Sequence, residues 1–342
     1  MTARDVVTAR SGAWSVPDEV GELRIGVLGA GKMARAHLET LTAMPGVRLA
    51  AICNPTSTAG PRFAEEFGIA SMYRDADAMF REQQLDAVFV AVSHGVTVDV
   101  ATQALAAGIP CLVEKPAGFS SEQTAKLAEI AARMSCVNLV GVNRRFYSTI
   151  QQALLAVLHE GPVAGVSIEA HEPIVAYRTS AQFATWLYDE WLIANSIHAI
   201  DLFRMFCGEA AAVAAFRRAH SEPNGDGFAA SIQFEDGALG SFAAHWHAPA
   251  GFALRIFGND VVAEFSSLER GFLRYRNGRR IKLRPDWADA RFKTGIYWQN
   301  AAFLQAVCDR VPAPFPASDL RDNVRTMRLV EQIGGRPAAV SA

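Results

Sequence analysis

The segment that most constrains this chain runs from Leu23 to Ala34. A short apolar run, LRIGVL (23–28), ends directly on Gly29-Ala30-Gly31-Lys32-Met33-Ala34. An apolar run without alternation reads as a strand buried on both faces, as in a parallel sheet. A helical pattern follows at 33–44, with Met33, His37, Leu41 and Met44 on one side, and Pro45-Gly46 stops it. A second apolar run, VRLAAIC, occupies 47–53. In this GxGxxA turn Gly29 permits the sharp bend and Gly31 lets a pyrophosphate approach the backbone. Ala34 lets the helix lie close to the sheet. The helix start supplies N–H donors and the positive end of its dipole. Gly29, Gly31, Lys32 and Met33 are therefore candidate cofactor-binding residues, and the cofactor class is a nicotinamide dinucleotide, NAD or NADP.

The alternation continues. Apolar runs at 85–92, 110–114 and 137–142 are separated by helical segments at 62–67, 98–107 and 121–134. Strands and helices at such short spacing predict a doubly wound parallel sheet, an α/β Rossmann domain over 22–143. After Asn143 the rhythm changes. A helix at 149–159 leads into an alternating run at 163–171, and a helix at 190–206 precedes strand-like runs at 211–218, 227–234, 239–247, 253–257, 261–265 and 272–275. Turn signals such as Pro223-Asn224-Gly225, Asp236-Gly237 and Asn277-Gly278 divide them. This half, 144–342, is expected to be α+β with a large, mostly antiparallel open sheet. A last helix at 319–333 is expected to pack back on the first domain. Residues 1–21 read as a flexible polar extension.

Composition narrows the function classes. Half of the 342 residues are hydrophobic and 20% are charged, enough to fill two cores. Lys plus Arg is 33 against 35 for Asp plus Glu, a net charge of −2, which argues against a nucleic-acid partner. No apolar run spans a bilayer, so no membrane partner is expected. Cys53, Cys111, Cys136, Cys207 and Cys308 are scattered without a CxxC pair, which predicts no metal site, no disulfide framework and a cytoplasmic location. An open sheet predicts a homo-oligomer, a dimer or tetramer formed through its exposed face.

Several residues fall at the carboxyl edge of the predicted parallel sheet, where ligands bind in open α/β folds. Asn54, after the second strand, stands where an acid would hold the adenosine ribose. It is either a neutral selector between the two cofactors, with Thr56, Ser57 and Thr58 as phosphate donors, or a plain turn residue before Pro55. Ser93 and His94 follow the 85–92 run, His94 being either a nicotinamide-pocket residue or a polar loop residue. Glu114-Lys115-Pro116 follows the 110–114 run, and Asn143-Arg144-Arg145 ends the domain. In the second half, Ala194, Asn195, His198 and Asp201 share one side of an apolar helix. A histidine one turn from an acid is a candidate acid/base group. Phe183, Trp186, Tyr188 and Trp191 precede it and suit a sugar face, loop packing or a subunit contact equally. His245 and His247 share one face of the alternating run 239–247, which is weak evidence for a metal.

Together GAGKMA (29–34), FAEEFG (63–68), VEKPAG (113–118), GVNRRF (141–146) and IHAIDLF (197–203) resemble, in order and spacing, the Gfo/Idh/MocA family of glucose–fructose oxidoreductases and inositol dehydrogenases. The resemblance runs from about Leu23 to Ile333. It implies hydride transfer between NAD(P) and a hydroxyl or keto carbon of a carbohydrate-like small molecule. Lys115 and His198 would be catalytic, while Asn143, Arg144, Asn195, Asp201 and Trp186 would meet the substrate. Gly29, Gly31, Lys32, Met33, Asn54, Ser93, His94, Glu114 and Lys115 would meet the cofactor. One position departs: Ala194 stands where the family places an aspartate four residues before the histidine. Either Lys115 and His198 suffice, or Asn195, Asp201 or a loop acid (Asp189 or Glu190) stands in, or the chain has moved to a related lyase or glycosidase activity or to cofactor sensing without turnover.

Overall fold

The computed structural model describes residues 22–335, apart from 57, 182 and 250. The expected extension at 1–21 and the expected role of Ser57 lie outside the described residues.

The first strands are Leu23–Leu28 (β1), Val47–Cys53 (β2), Ser71–Tyr73 (β3), Ala87–Val90 (β4), Cys111–Val113 (β5) and Asn138–Val140 (β6). They form one parallel sheet in the order β3-β2-β1-β4-β5-β6. The order reverses at β1 and β4, which opens a crevice at their carboxyl ends. Strand β3 and the helix Ala76–Glu82 are additions to the sequence expectation. Asp75 caps that helix by accepting from the backbone N–H of Asp77 and Ala78.

The second sheet has eight strands: Gly165–Ala170 (β7), Ala210–Arg218 (β8), Gly227–Phe234 (β9), Leu239–His245 (β10), Phe252–Phe257 (β11), Val261–Ser267 (β12), Arg270–Tyr275 (β13) and Arg280–Leu283 (β14). Their order is β14-β13-β12-β11-β7-β10-β9-β8, antiparallel except for β7 with β10. The α/β domain and the mostly antiparallel open sheet expected from the sequence are both present. One correction concerns His245-Trp246-His247. Strand β10 stops at His245, whose ring stacks on His171, and His247 turns away to Glu222. Among the described residues no group of three or more His, Cys, Asp or Glu is placed to hold a metal ion.

The C-terminal segment returns to the first domain. The helix Ile296–Asp309 buries Ala301, Phe303 and Leu304 in one core with Leu23, Ile25 and Val27 of β1. The helix Leu320–Ile333 lies against the helix Ser121–Arg133, where Glu331 accepts from both the backbone N–H and the hydroxyl of Ser121 at 2.7 Å. It also packs on the helix Ile197–Cys207, which carries His198. The two sheets are therefore tied together by chain that crosses twice.

A buried ion cluster locks this junction. Arg145, at the exit of the first domain, binds both carboxylate oxygens of Asp201 at 2.6 Å. Its third nitrogen donates to the Pro316 carbonyl, and Asp322 lies 3.1 Å away. Thr326 donates to Asp201 at 2.7 Å, and Arg204 pairs with Asp322 at 2.8 Å. The two guanidinium groups hold the Asp322 carboxyl far below the usual carboxylate range, although burial opposes this. A bidentate pair in this setting is strongly directional, and removing one partner strands a buried charge. Asp201→Asn is expected to lower unfolding stability by about 3 kcal/mol in urea titration; a loss under about 1 kcal/mol would show that the pair does not hold the junction.

Candidate active site

The glycine turn is built for an anion-bearing ligand. Gly29 adopts φ +104°, and a Cβ there would lie 2.2 Å from the Ala91 carbonyl oxygen, so only glycine fits. Gly31 differs: a Cβ there would meet nothing within 4 Å. No contact inside the protein requires glycine at 31, and the space beside it is open. Gly31 is also the N-cap of the eleven-residue helix Lys32–Thr42 and makes no side-chain cap bond. Ala34 is fully buried under this helix. Open space at uncapped helix N–H groups is what a dinucleotide pyrophosphate needs, so these residues fit the cofactor.

From this turn a cavity of about 350 Å³ runs between the two sheets. Lys32, Met33, His94, Glu114 and Lys115 line it from the first domain. Ala194, Asn195 and His198 line the opposite wall. The structure thus brings together Lys115 and His198, which lie 83 positions apart in sequence. Asn54 lies elsewhere, buried at the end of β2 with Gly60 packed against it. Ser93 caps the short turn His94–Val96 and does not line the cavity.

Lys115 follows β5, and its peptide bond to Pro116 is cis. The ammonium donates to the Ala194 carbonyl at 2.9 Å. So position 194 does meet the lysine, through its backbone. Residues Leu192–Ser196 form a π-turn that runs into the helix Ile197–Cys207, where the sequence predicted one unbroken helix. Such turns concentrate at functional sites because they displace the backbone from regular register. Burial lowers the Lys115 pKa to about 8, with Arg144 and Lys293 adding to the effect and Glu114 and Glu172 opposing it. Glu114 is itself held by His37, 3.0 Å away, and His37 meets Asn300 at 2.9 Å on the helix that returns from the far domain.

His198 is 8% exposed, and its Nδ1 is buried without a hydrogen-bond partner. Burial, then the charges of Lys115, Arg144 and Lys293, push its pKa well below the ordinary value, so the ring is neutral at pH 7. A neutral imidazole on the wall of a cavity can accept a proton. His94 is likewise held neutral, with a pKa near 4, by burial and by Lys115.

The remaining expectations divide. Arg144 lines the cavity, its guanidinium 5.3 Å from the Phe252 ring centre and its Nη1 buried without a partner. Asn143 also lines the cavity but gives its amide to the Thr294 carbonyl at 2.8 Å. Asp201 does not reach the site: both its oxygens belong to Arg145. Trp186 stays outside the lining, edge-on to Phe119 at 5.0 Å between ring centres, while Phe183, Leu187 and Trp191 line the cavity instead.

Two site residues have no signal in the sequence. Lys293 enters from a loop that Asn143 grips at Thr294 and that Asp289 grips at the Gly295 N–H, 2.7 Å away. Glu172, just past β7, accepts from Trp191 at 2.5 Å, from Ser196 at 3.1 Å and from Asn195. It braces the π-turn from behind. The supports expected at Asp189 and Glu190 are not used here.

A Rossmann domain with a dinucleotide cradle, joined to an open-sheet domain that supplies a neutral histidine, defines a class of two-domain nicotinamide-linked proteins. Comparison with known proteins gives the family. Residues 23–142 match the model described as "Oxidoreductase family, NAD-binding Rossmann fold", and residues 165–264 match "GFO/IDH/MocA C-terminal domain". The chain belongs to the Gfo/Idh/MocA family. It is 31% identical to the rhizopine catabolism protein MocA of Rhizobium meliloti over 38% of this chain and 40% of that protein. It is 24% identical to scyllo-inositol 2-dehydrogenase (NAD(+)) of Bacillus subtilis over 75% of this chain and 76% of that one. For the stronger matches the chain spans about half the length of the relative or less, 40% for MocA and 48% for an inositol 2-dehydrogenase of Corynebacterium glutamicum. Among solved structures, myo-inositol 2-dehydrogenase of Lactobacillus plantarum superposes with a TM-score of 0.75 at 20% identity, over 92% of this chain and 96% of that one. That likeness is one of fold.

Lys115 carries a stability cost that can be measured. Its pKa is about 8 in the folded chain against 10.5 for a free lysine, so the unfolded chain binds the proton more tightly. The penalty is full below pH 8, fades between the two values and is gone above 10.5. Lys115→Met is expected to stabilise the protein at pH 7 by about 1–2 kcal/mol after discounting for partial exposure of the ammonium. The gain should shrink at pH 10. Destabilisation at pH 7 would show that the ammonium is held comfortably.

Proposed function

We propose that this protein is an NAD(P)-dependent dehydrogenase or reductase acting on a CH–OH or keto carbon of a sugar, polyol or sugar-derived substrate. The observation that carries the reading is the buried, neutral His198, with no hydrogen-bond partner at Nδ1, lining the same cavity as Lys115. The family match and the named relatives support it.

Gly29, Gly31, Lys32 and Met33 would hold the pyrophosphate at the helix start, with His94 and Glu114 flanking the nicotinamide end. The nicotinamide, when bound, accepts or returns the hydride. The chain's own residues handle the proton. In oxidation the neutral His198 takes the hydroxyl proton at a ring nitrogen. Lys115 donates to the same oxygen and stabilises the negative charge that grows there. In reduction His198 returns the proton and Lys115 polarises the carbonyl. Ala194 contributes only its carbonyl, which aims the ammonium, while Asn195 is held by Glu172. Asn54 leaves the preference between NAD and NADP open to assay.

We also infer self-association in a cytoplasmic setting. The outer face of the eight-stranded sheet exposes Leu239 at 63% of its surface, with Phe257 across Gly165 from it, and Phe216 at 77% further along the sheet. Such a patch on a broad sheet suits a second copy of the chain. Sedimentation is expected to give a dimer or tetramer that Leu239→Lys weakens; a monomer at micromolar concentration would refute this.

The acid/base assignment is tested by a pH profile followed at the reduced-nicotinamide band. Because burial and nearby cations keep His198 neutral, kcat/KM for oxidation should be level from about pH 6 to 8. It should fall above pH 8 as Lys115 loses its proton. His198→Asn should cost roughly 10²–10⁴-fold in kcat with little change in cofactor affinity. Unchanged kcat in that variant would remove the histidine from the reaction.

A further inference from the structure

The wall of the cavity is unevenly charged. Lys32, Lys115, Arg144 and Lys293 all line it, and among the described residues the only carboxylate in the lining is Glu114. Glu114 is turned to His37 at 3.0 Å. The chain as a whole is slightly acidic, at −2, so this is a local accumulation and not a general excess of base. A carboxylate at position 194 would have offset it, and Ala194 removes that option. Glu172 lies close enough to influence both Lys115 and Arg144, but it is not part of the lining. Its oxygens are occupied by Trp191, Asn195 and Ser196.

Arg144, half-buried, and Lys293, exposed, line the cavity without a salt-bridge partner among the described residues. Arg144 makes no ion pair among the described residues, and its Nη1 is buried with no acceptor. The face of Phe252 keeps the guanidinium in place. Lys293 likewise makes no ion pair among the described residues, while its loop is pinned by Asn143 and Asp289. A buried guanidinium N–H left without an acceptor is costly, so an oxygen acceptor brought beside Arg144 would be favoured. Arginine offers a planar fork that matches a carboxylate. The cavity, about 350 Å³, is at the small end for ligand pockets and suits a compact substrate.

We propose that the substrate is a small polyhydroxy acid, whose carboxylate is held by Arg144 and Lys293 while the reacting hydroxyl meets Lys115 and His198. This rests on the oxidoreductase reading above. It adds that the substrate itself supplies the negative charge absent from position 194. Arg144 and Lys293 are then specificity residues, and a neutral sugar of the same length leaves them unpaired. Sites built to pair a group discriminate strongly against analogues lacking it.

The test uses the full chain with its cofactor and acids matched to neutral polyols: D-gluconate against D-glucitol, D-galactonate against galactitol, and D-glucose 6-phosphate as the phosphate control. Nicotinamide reduction gives kcat/KM, and calorimetry on the enzyme–NADH complex gives Kd without turnover. The expected result is at least a hundredfold higher kcat/KM for one or more carboxylates than for its neutral partner. Arg144→Met and Lys293→Met should each raise the Kd of that acid at least tenfold, and Arg276→Gln, on the β13–β14 turn, should change neither quantity. Equal kcat/KM for acid and polyol overturns the proposal and leaves the oxidoreductase reading intact. Preference for the phosphate ester overturns the carboxylate assignment. Tight binding of the acid without any change in nicotinamide absorbance supports the anion site and overturns the oxidoreductase reading. Absence of both binding and turnover of every acid overturns the proposal.

Discussion

The bidentate pair between Arg145 and Asp201 is the constraint on which the site depends. Arg145 ends the first domain two residues after Asn143, and Asp201 lies one turn beyond His198. Holding those two groups at 2.6 Å fixes the histidine helix against the exit of the Rossmann sheet. Lys115 then lies opposite the π-turn, within 2.9 Å of the Ala194 carbonyl. A lysine on one domain and a histidine on the other become neighbours only because the junction between them is rigid. The long C-terminal excursion serves the same end, since Ile296–Asp309 completes the first core and Leu320–Ile333 braces the histidine helix.

The chemistry follows from charge placed in a largely buried cleft. Burial alone lowers the pKa of both Lys115 and His198, and each cation nearby lowers them further. The imidazole is thereby kept as a base and the ammonium is brought near physiological pH. A family aspartate before the histidine would relax this arrangement. Its replacement by alanine leaves a more positive cleft, in which neutral His198 is favoured even more and an anionic substrate is welcome. In the proposed reading, the departure from the family pattern alters what the site recognises while Lys115 and His198 keep their roles.

Much of this was legible in the sequence because it is local. The strand-turn-helix at 23–34 states its own geometry, and Lys115 and His198 follow from where strands end and from one apolar helix. The strand rhythm after Asn143 gave the second sheet through turn signals at known spacing. What escaped was set by partners far along the chain. Spacing on a helix places Asp201 on the side of His198 but does not say that Arg145 faces it. Lys293 reaches the cleft because Gly295, with φ +77°, lies against the Asn143 carbonyl, where a Cβ would come within 2.2 Å. Glu172 is an isolated acid after a strand until the π-turn closes over it. The helix at 296–309 is apolar on most sides because two layers cover it, so no stripe announces it.

The most direct test is a crystal structure of the enzyme with a nicotinamide cofactor and a slowly reacting polyhydroxy acid. The account predicts one substrate oxygen within hydrogen-bond distance of both Lys115 Nζ and a ring nitrogen of His198, with its carbon facing C4 of the nicotinamide. A substrate oxygen reached by neither side chain, or a nicotinamide ring lying outside the cleft that they share, would contradict it.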